Sequence, residues 1–137
     1  MKALIPLFLF LLFLGASAVR AQTTERRYDA QGRYQGQVRR DQQGGSRAYD
    51  SHGSYRGRTE TNASGETRSY DAHGGYQGRQ SPDGRLYDSH GSYKGRVETD
   101  TSGNQRLYDS HGSYQGRIDK DGRRYDAQGR YQGRNAP

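Results

Sequence analysis

The sequence predicts an all-β protein: an antiparallel meander of six tyrosine-clasped hairpins, drawn into a pseudo-symmetric shallow barrel or flower. Three observations carry that prediction. The pattern R-x-Y-D-x-x-G-x-Y-x-G occurs six times, and its copies hold all 12 tyrosines. Every copy, and every segment between copies, contains a glycine-closed turn. No stretch after the N-terminal segment shows a 3.6-residue apolar period, so helix is not expected.

One copy, Arg106 to Arg117, shows why each unit is a hairpin. In Asp109-Ser110-His111-Gly112 the aspartate can bond forward to the backbone, and the glycine takes positive φ without a Cβ penalty. That is a three-residue hairpin loop closed by a glycine bulge. It sets Tyr108 opposite Tyr114, and by the same count Tyr28 opposite Tyr34, Tyr49 opposite Tyr55, Tyr70 opposite Tyr76, Tyr87 opposite Tyr93 and Tyr125 opposite Tyr131. A cross-strand aromatic pair contributes roughly 0.2–1 kcal/mol over Ala–Ala.

The connectors use the same turn grammar: Asp41-Gln42-Gln43-Gly44, Asn62-Ala63-Ser64-Gly65, Ser81-Pro82-Asp83-Gly84, Asp100-Thr101-Ser102-Gly103 and Asp119-Lys120-Asp121-Gly122. Successive first tyrosines lie 21, 21, 17, 21 and 17 residues apart. Four extra residues, two per strand, lengthen a connecting hairpin without turning over its faces, because strand side chains alternate with period two. Glu60 then falls opposite Arg68 and Glu98 opposite Arg106, as favourable charge pairs. Strict counting also sets Arg96 opposite Tyr108, which would put successive tyrosine pairs on opposite sides of the sheet. Gly36, Gly57, Gly78, Gly95, Gly116 and Gly133 recur in the second strands, where glycine marks bulges. A bulge there returns all the tyrosines to one face.

Met1–Ala21 reads as a secretory signal peptide. Lys2 precedes the uncharged run Leu4–Leu14, and small residues follow, with cleavage after Ala21 preferred over Ala18. Residues 22–137 then form a single repeat domain, exported to a bacterial-type periplasm or secreted. There is no cysteine, so neither disulfides nor thiolate metal sites are available. The formal charge of +7 becomes +5 once Lys2 and Arg20 leave with the leader. Large aliphatics after the leader are only Val38, Leu86, Val97, Leu107 and Ile118, so the tyrosines are expected to serve as the core. Closing the meander would remove sheet edges and stack each pair on its neighbours, although copy number by itself leaves closure open.

The Y-D-x-x-G-x-Y-x-G copies, over Arg26 to Arg134, resemble the β-flower proteins, in which hairpin petals radiate around a shallow barrel. The resemblance implies about six petals and no activity that can be carried over. A weaker resemblance is to the YD repeats of Rhs-type shells. Those usually continue with Gly-Arg-Leu, whereas this chain has tyrosine at the leucine position.

No reaction is written in the residues. Each repeated aspartate has a turn role, and no nucleophile elbow or phosphate-cradling loop occurs, so no catalytic residue is expected. Arg47, Arg68, Arg85 and Arg106 share a face with the tyrosines, and with Tyr55, Tyr76, Tyr93 and Tyr114 they form the candidate ligand surface. Their stems are expected to pack on the rings. His52, His73, His90 and His111 each hold the third position of a D-x-x-G turn. Gathered on one rim with the turn aspartates, they would suit zinc, copper or nickel; no other cofactor is indicated. The functional expectation is an exported, non-enzymatic binding or envelope-associated module. The residues leave its ligand open; the alternatives are a protein that binds carbohydrate or an anionic polymer, such as a cell-envelope polysaccharide, through the Tyr/Arg face, and metal sequestration by the turn histidines. Export argues against nucleic acid, and no membrane span is expected after the leader.

Overall fold

The computed structural model describes residues 22–137, so the leader assigned to Met1–Ala21 lies outside the described residues. Six hairpins follow in order: β1 (Thr23–Tyr28) with β2 (Tyr34–Arg40), β3 (Ser46–Asp50) with β4 (Tyr55–Thr61), and β5 (Thr67–Asp71) with β6 (Tyr76–Gln80). Then come β7 (Arg85–Asp88) with β8 (Tyr93–Thr99), β9 (Gln105–Asp109) with β10 (Tyr114–Ile118), and β11 (Arg123–Asp126) with β12 (Tyr131–Ala136). Every strand pairs antiparallel with its neighbours in sequence, and β1 pairs with β12, so the sheet closes into a barrel. The seam is Arg26 to Ala136, Arg27 to Asn135 and Tyr28 to Arg134.

The hairpin loops form as their residues dictate. The Asp109 amide donates to the Ser113 carbonyl at 3.0 Å, and the Gly112 amide donates back to the Asp109 carbonyl at 3.0 Å, with Gly112 at φ 84°. The connector arithmetic is visible in the ladders. The long β4–β5 connection has five residue pairs, from Gly57–Asp71 to Thr61–Thr67, while the short β6–β7 connection has three. Two residues added to each strand account for the four-residue difference in spacing.

Arg96 does pair with Tyr108, and the expected bulge resolves the face problem. Tyr114 pairs with Tyr108, but the next partner of Leu107 is Gly116, leaving Gln115 as the extra residue. The same shift recurs in all six hairpins. Each bulge glycine has φ between 122° and 144°. A Cβ built on Gly95 would lie 2.1 Å from the Tyr108 carbonyl oxygen of the next hairpin, and one on Gly116 would lie 2.3 Å from that of Tyr125. Both the backbone conformation and the contact demand glycine.

The expectation that tyrosine forms the core is corrected. Alternation along a strand puts Leu107 inside and Tyr108 outside. The converging interior takes the smaller chains, and the diverging outer wall has room for rings. Val38, Leu86, Val97, Leu107 and Ile118 are the buried aliphatics, with Leu86, Val97, Leu107 and Ile118 in one cluster on β7–β10. The β3–β6 flank of the interior is polar, with Ser46, Thr59, Thr67 and Gln80 buried, while Gln105 is buried on β9 opposite Ile118. Ser46 and Thr59 meet through their hydroxyls at 3.1 Å, which satisfies both without water.

Glycine positions therefore differ in what they tolerate. Gly95→Ala meets a backbone oxygen and should cost more than ~2 kcal/mol, the scale of a strained non-glycine backbone plus an unrelieved clash. Gly91→Ala, where a Cβ would meet no atom within 4 Å, should cost only about 1–2 kcal/mol. Urea unfolding of the two variants checks the order, and equal losses would refute the bulge argument.

Candidate functional site

The outer face is built from one motif repeated around the barrel. Within each hairpin the two rings meet edge to face: centroids lie 5.8–6.0 Å apart and planes cross at 58–64°. Between hairpins an arginine of the second strand lies over the first ring of the next copy. Arg39 covers Tyr49 at 5.1 Å, Arg58 covers Tyr70 at 4.5 Å, and Arg79 covers Tyr87 at 4.7 Å. Arg96 covers Tyr108 at 4.5 Å and Arg117 covers Tyr125 at 4.4 Å. Arg134 covers Tyr28 at 5.6 Å, so the same contact closes the ring. The result is a continuous belt of 12 rings and six guanidiniums. The first ring of each pair is half-buried under its arginine. The second is more open in five copies, with Tyr34, Tyr76, Tyr93, Tyr114 and Tyr131 at 37–40% exposure, while Tyr55 is half-buried.

Arg47, Arg68, Arg85 and Arg106 do share the belt's face, as expected, and all four are exposed. The guanidiniums found over rings, however, belong to the second strands. Each first-strand arginine stands opposite a second-strand one: Arg47–Arg58, Arg68–Arg79, Arg85–Arg96 and Arg106–Arg117. The first-strand side chains thus extend the belt toward the connector rim as a second basic row. Arg47 and Arg58 also line a cavity of about 250 Å³ on that rim, with Asp41, Gln43, Ser46 and Glu60. The ring-capping arginines had a sequence signal, the Gly-Arg dipeptide after the second tyrosine. Copy one lacks it, having Gly36-Gln37, and there Arg39, two residues further on the same face, does the capping.

The expected charge pairs need correction as well. Glu60 is opposite Arg68 and Glu98 opposite Arg106, as counted. Their carboxylates instead bond to the same-strand neighbours, Arg58 at 2.8 Å and Arg96 at 2.7 Å, while Arg68 takes Glu66 at 2.9 Å. A guanidinium stacked on a ring presents its edge along the strand, where the residue two positions on shares its face. Glu66 also binds Arg79 at 2.8 Å, and its carboxyl lies below the usual range because of Arg79 first and Arg68 second.

The turn aspartates are structural. Asp109 Oδ1 accepts the amides of His111 and Ser113, each at 2.9 Å, and Oδ2 accepts Gln115 Nε2 at 2.9 Å. Asp50, Asp71 and Asp88 do the same with His52 and Ser54, His73 and Gly75, and His90 and Ser92. An up-and-down barrel puts all six D-x-x-G turns at one rim, so His52, His73, His90 and His111 do share an end of the molecule. They are exposed there, and among the described residues no three His, Cys, Asp or Glu side chains gather where they could hold a metal ion. Three of them face the preceding serine instead, with Nδ1–Oγ distances of 3.3–3.4 Å.

Among the described residues no helix is long and apolar enough to cross a membrane. The strands are four to seven residues long, against the ~9–11 of a spanning strand. Neither a scan of protein-family models nor a search of curated proteins finds a match to the chain.

The turn carboxylates make stability acid-sensitive. The backbone amides of Ser54, Gly75, Ser92 and Ser113 are the largest cause holding Asp50, Asp71, Asp88 and Asp109 below their ordinary 3.8, against a smaller opposing push from burial. A carboxyl whose folded value is depressed stabilises the fold above its unfolded value. That contribution disappears as pH falls through the folded one. The melting temperature should hold from neutrality to about pH 5 and drop below about pH 4. At pH 7 Asp109→Asn, which keeps the Oδ1 acceptor, should melt above Asp109→Ala. Circular dichroism melts across pH check both.

Proposed function

We propose that this is an exported, non-enzymatic β-repeat protein of the β-flower type, acting as an envelope-associated binding module for polysaccharide that carries anionic groups. The observation behind this reading is the closed belt, in which a ring pair and a guanidinium recur in every hairpin and the second ring is open in five of the six. Rings of this kind stack on sugar faces, and arginines bond carboxylate or sulfate. One hairpin is two strand spacings wide, roughly 9.5 Å, so the belt offers a polymer the same contact at regular intervals. Weak contacts linked in this way gain by effective concentration. The turn aspartates have both oxygens engaged in the loops, which favours binding over acid–base chemistry. The leader-like N-terminus and the basic balance of the chain favour an acidic partner outside the cytosol.

Glycan arrays followed by titration with acidic and neutral polysaccharides test this. Binding is expected to favour the acidic polymer, to weaken with salt, and to fall by about tenfold or more in Tyr93→Ala/Tyr114→Ala, on the scale of ~1–3 kcal/mol for each lost stacking contact. Equal affinity for both polymers, or none for either, would remove the reading. Hydrolase activity abolished by changing one aspartate would overturn the non-enzymatic part.

A further inference from the structure

The interior breaks its own rule at the seam. The residue before each first tyrosine points into the barrel. In copies two to five it is Ala48, Ser69, Leu86 and Leu107, all small or apolar. In copies one and six, the two that close the ring, it is Arg27 and Arg124. Arg27 lies opposite Gly36 and Asn135, and Arg124 lies opposite Gly133 and Ile118, so both flank β12 on its inner side. Arg124 Nη2 donates to the Tyr28 carbonyl at 2.9 Å across the seam, next to Arg27 in sequence.

Among the described residues these charges are not balanced from within. The carboxylate acting on both guanidiniums is Glu25, and it is bonded to Arg40 at 3.1 Å. Two inward, half-buried guanidiniums therefore share one carboxylate that already holds an ion pair. Desolvation, with Arg124 next, pulls the Arg27 pKa down to about 10, and Glu25 only partly offsets them. Arg27 Nε and Arg124 Nε, two buried donors, have no hydrogen-bond partner among the described residues, and neither has Asn135 Oδ1 beside them. Buried polar groups are ordinarily satisfied, and an unpaired buried charge is among the costliest features a fold can carry. Uncompensated like charges with unused donors, next to an acceptor open to a hydroxyl, are what an oxyanion would complete.

We propose that the inner side of the seam binds a small oxyanion, a phosphate or carboxylate group, between Arg27 and Arg124, and that its binding fastens the first hairpin to the last. The anion neutralises the charge that opposes closure, so it binds the closed barrel and not the opened chain. By mass action it then raises stability with concentration.

The test is thermal melting of the purified exported protein in chloride, inorganic phosphate and acetate at equal ionic strength, with calorimetric titration of the same anions. Phosphate should raise the melting temperature progressively and bind one per chain. A matching acetate effect would extend the ligand class to carboxylates, and a phosphate-only effect would confine it to phosphoryl groups. Arg27→Leu/Arg124→Leu, which gives the seam the leucine of copies four and five, should lose the phosphate response and melt above the unmodified protein in chloride alone. Arg124→Lys, which keeps the charge but not the fork, should bind about tenfold more weakly. An absence of saturable heat in the unmodified protein would overturn the proposal, as would an equal phosphate shift in the double leucine variant.

Discussion

The fold depends on six glycines, one in the second strand of every hairpin. Each gives the chain a backbone conformation closed to other residues and lets the next hairpin's tyrosine carbonyl approach where a Cβ would otherwise stand. The resulting bulge reverses which side the strand presents after its tyrosine. Without it, neighbouring pairs of rings would face opposite ways, and each arginine would lie over the next ring on the side away from its own hairpin's rings. The bulge thus decides the common tyrosine face, and that face decides how hairpins recognise one another.

Closure follows from the same contact. Arg58 meets Tyr70 as Arg96 meets Tyr108, and Arg134 meets Tyr28 in the same manner though at longer range. A sheet whose last hairpin can do to the first what each does to its successor has no remaining edge to protect. The outer belt compensates for a thin interior, since aliphatic packing is confined largely to β7–β10. Each ring–guanidinium contact is worth only ~0.5–1 kcal/mol at an exposed site. Six of them, each tied to a ring pair, act together around the barrel. At the seam the interior is charged, so the place where the belt stretches most is also the place where the inside resists closure.

The surface that holds the hairpins together also faces outward. Tyrosines half-covered by arginine stabilise the wall while most of their partners stay open to solvent, so the proposed binding would draw on the same side chains as stability. A change that improves one will tend to disturb the other, because the rings that would stack on a ligand also brace the neighbouring strand.

Much of this was legible in the chain itself. The D-x-x-G turns, the tyrosine pairings, the two-per-strand lengthening of connectors and the glycine bulge all follow from local rules: turn chemistry, period two and the absence of a Cβ. Even the pairing of Arg96 with Tyr108 could be counted. What only the tertiary structure decided is which face lies inside. Alternation says that Leu107 and Tyr108 oppose each other, but a strand does not record the sign of sheet curvature. Curvature sent the rings outward, and with them the core moved to five aliphatics and a polar flank. Likewise the carboxylates' choice of same-strand arginines is settled by how the guanidiniums lie on the rings, and the meeting of Arg27 with Arg124 across nearly a hundred residues exists only once the ends are joined. The first depends on ring stacking and the second on three-dimensional proximity, and neither follows from counting residues across a ladder.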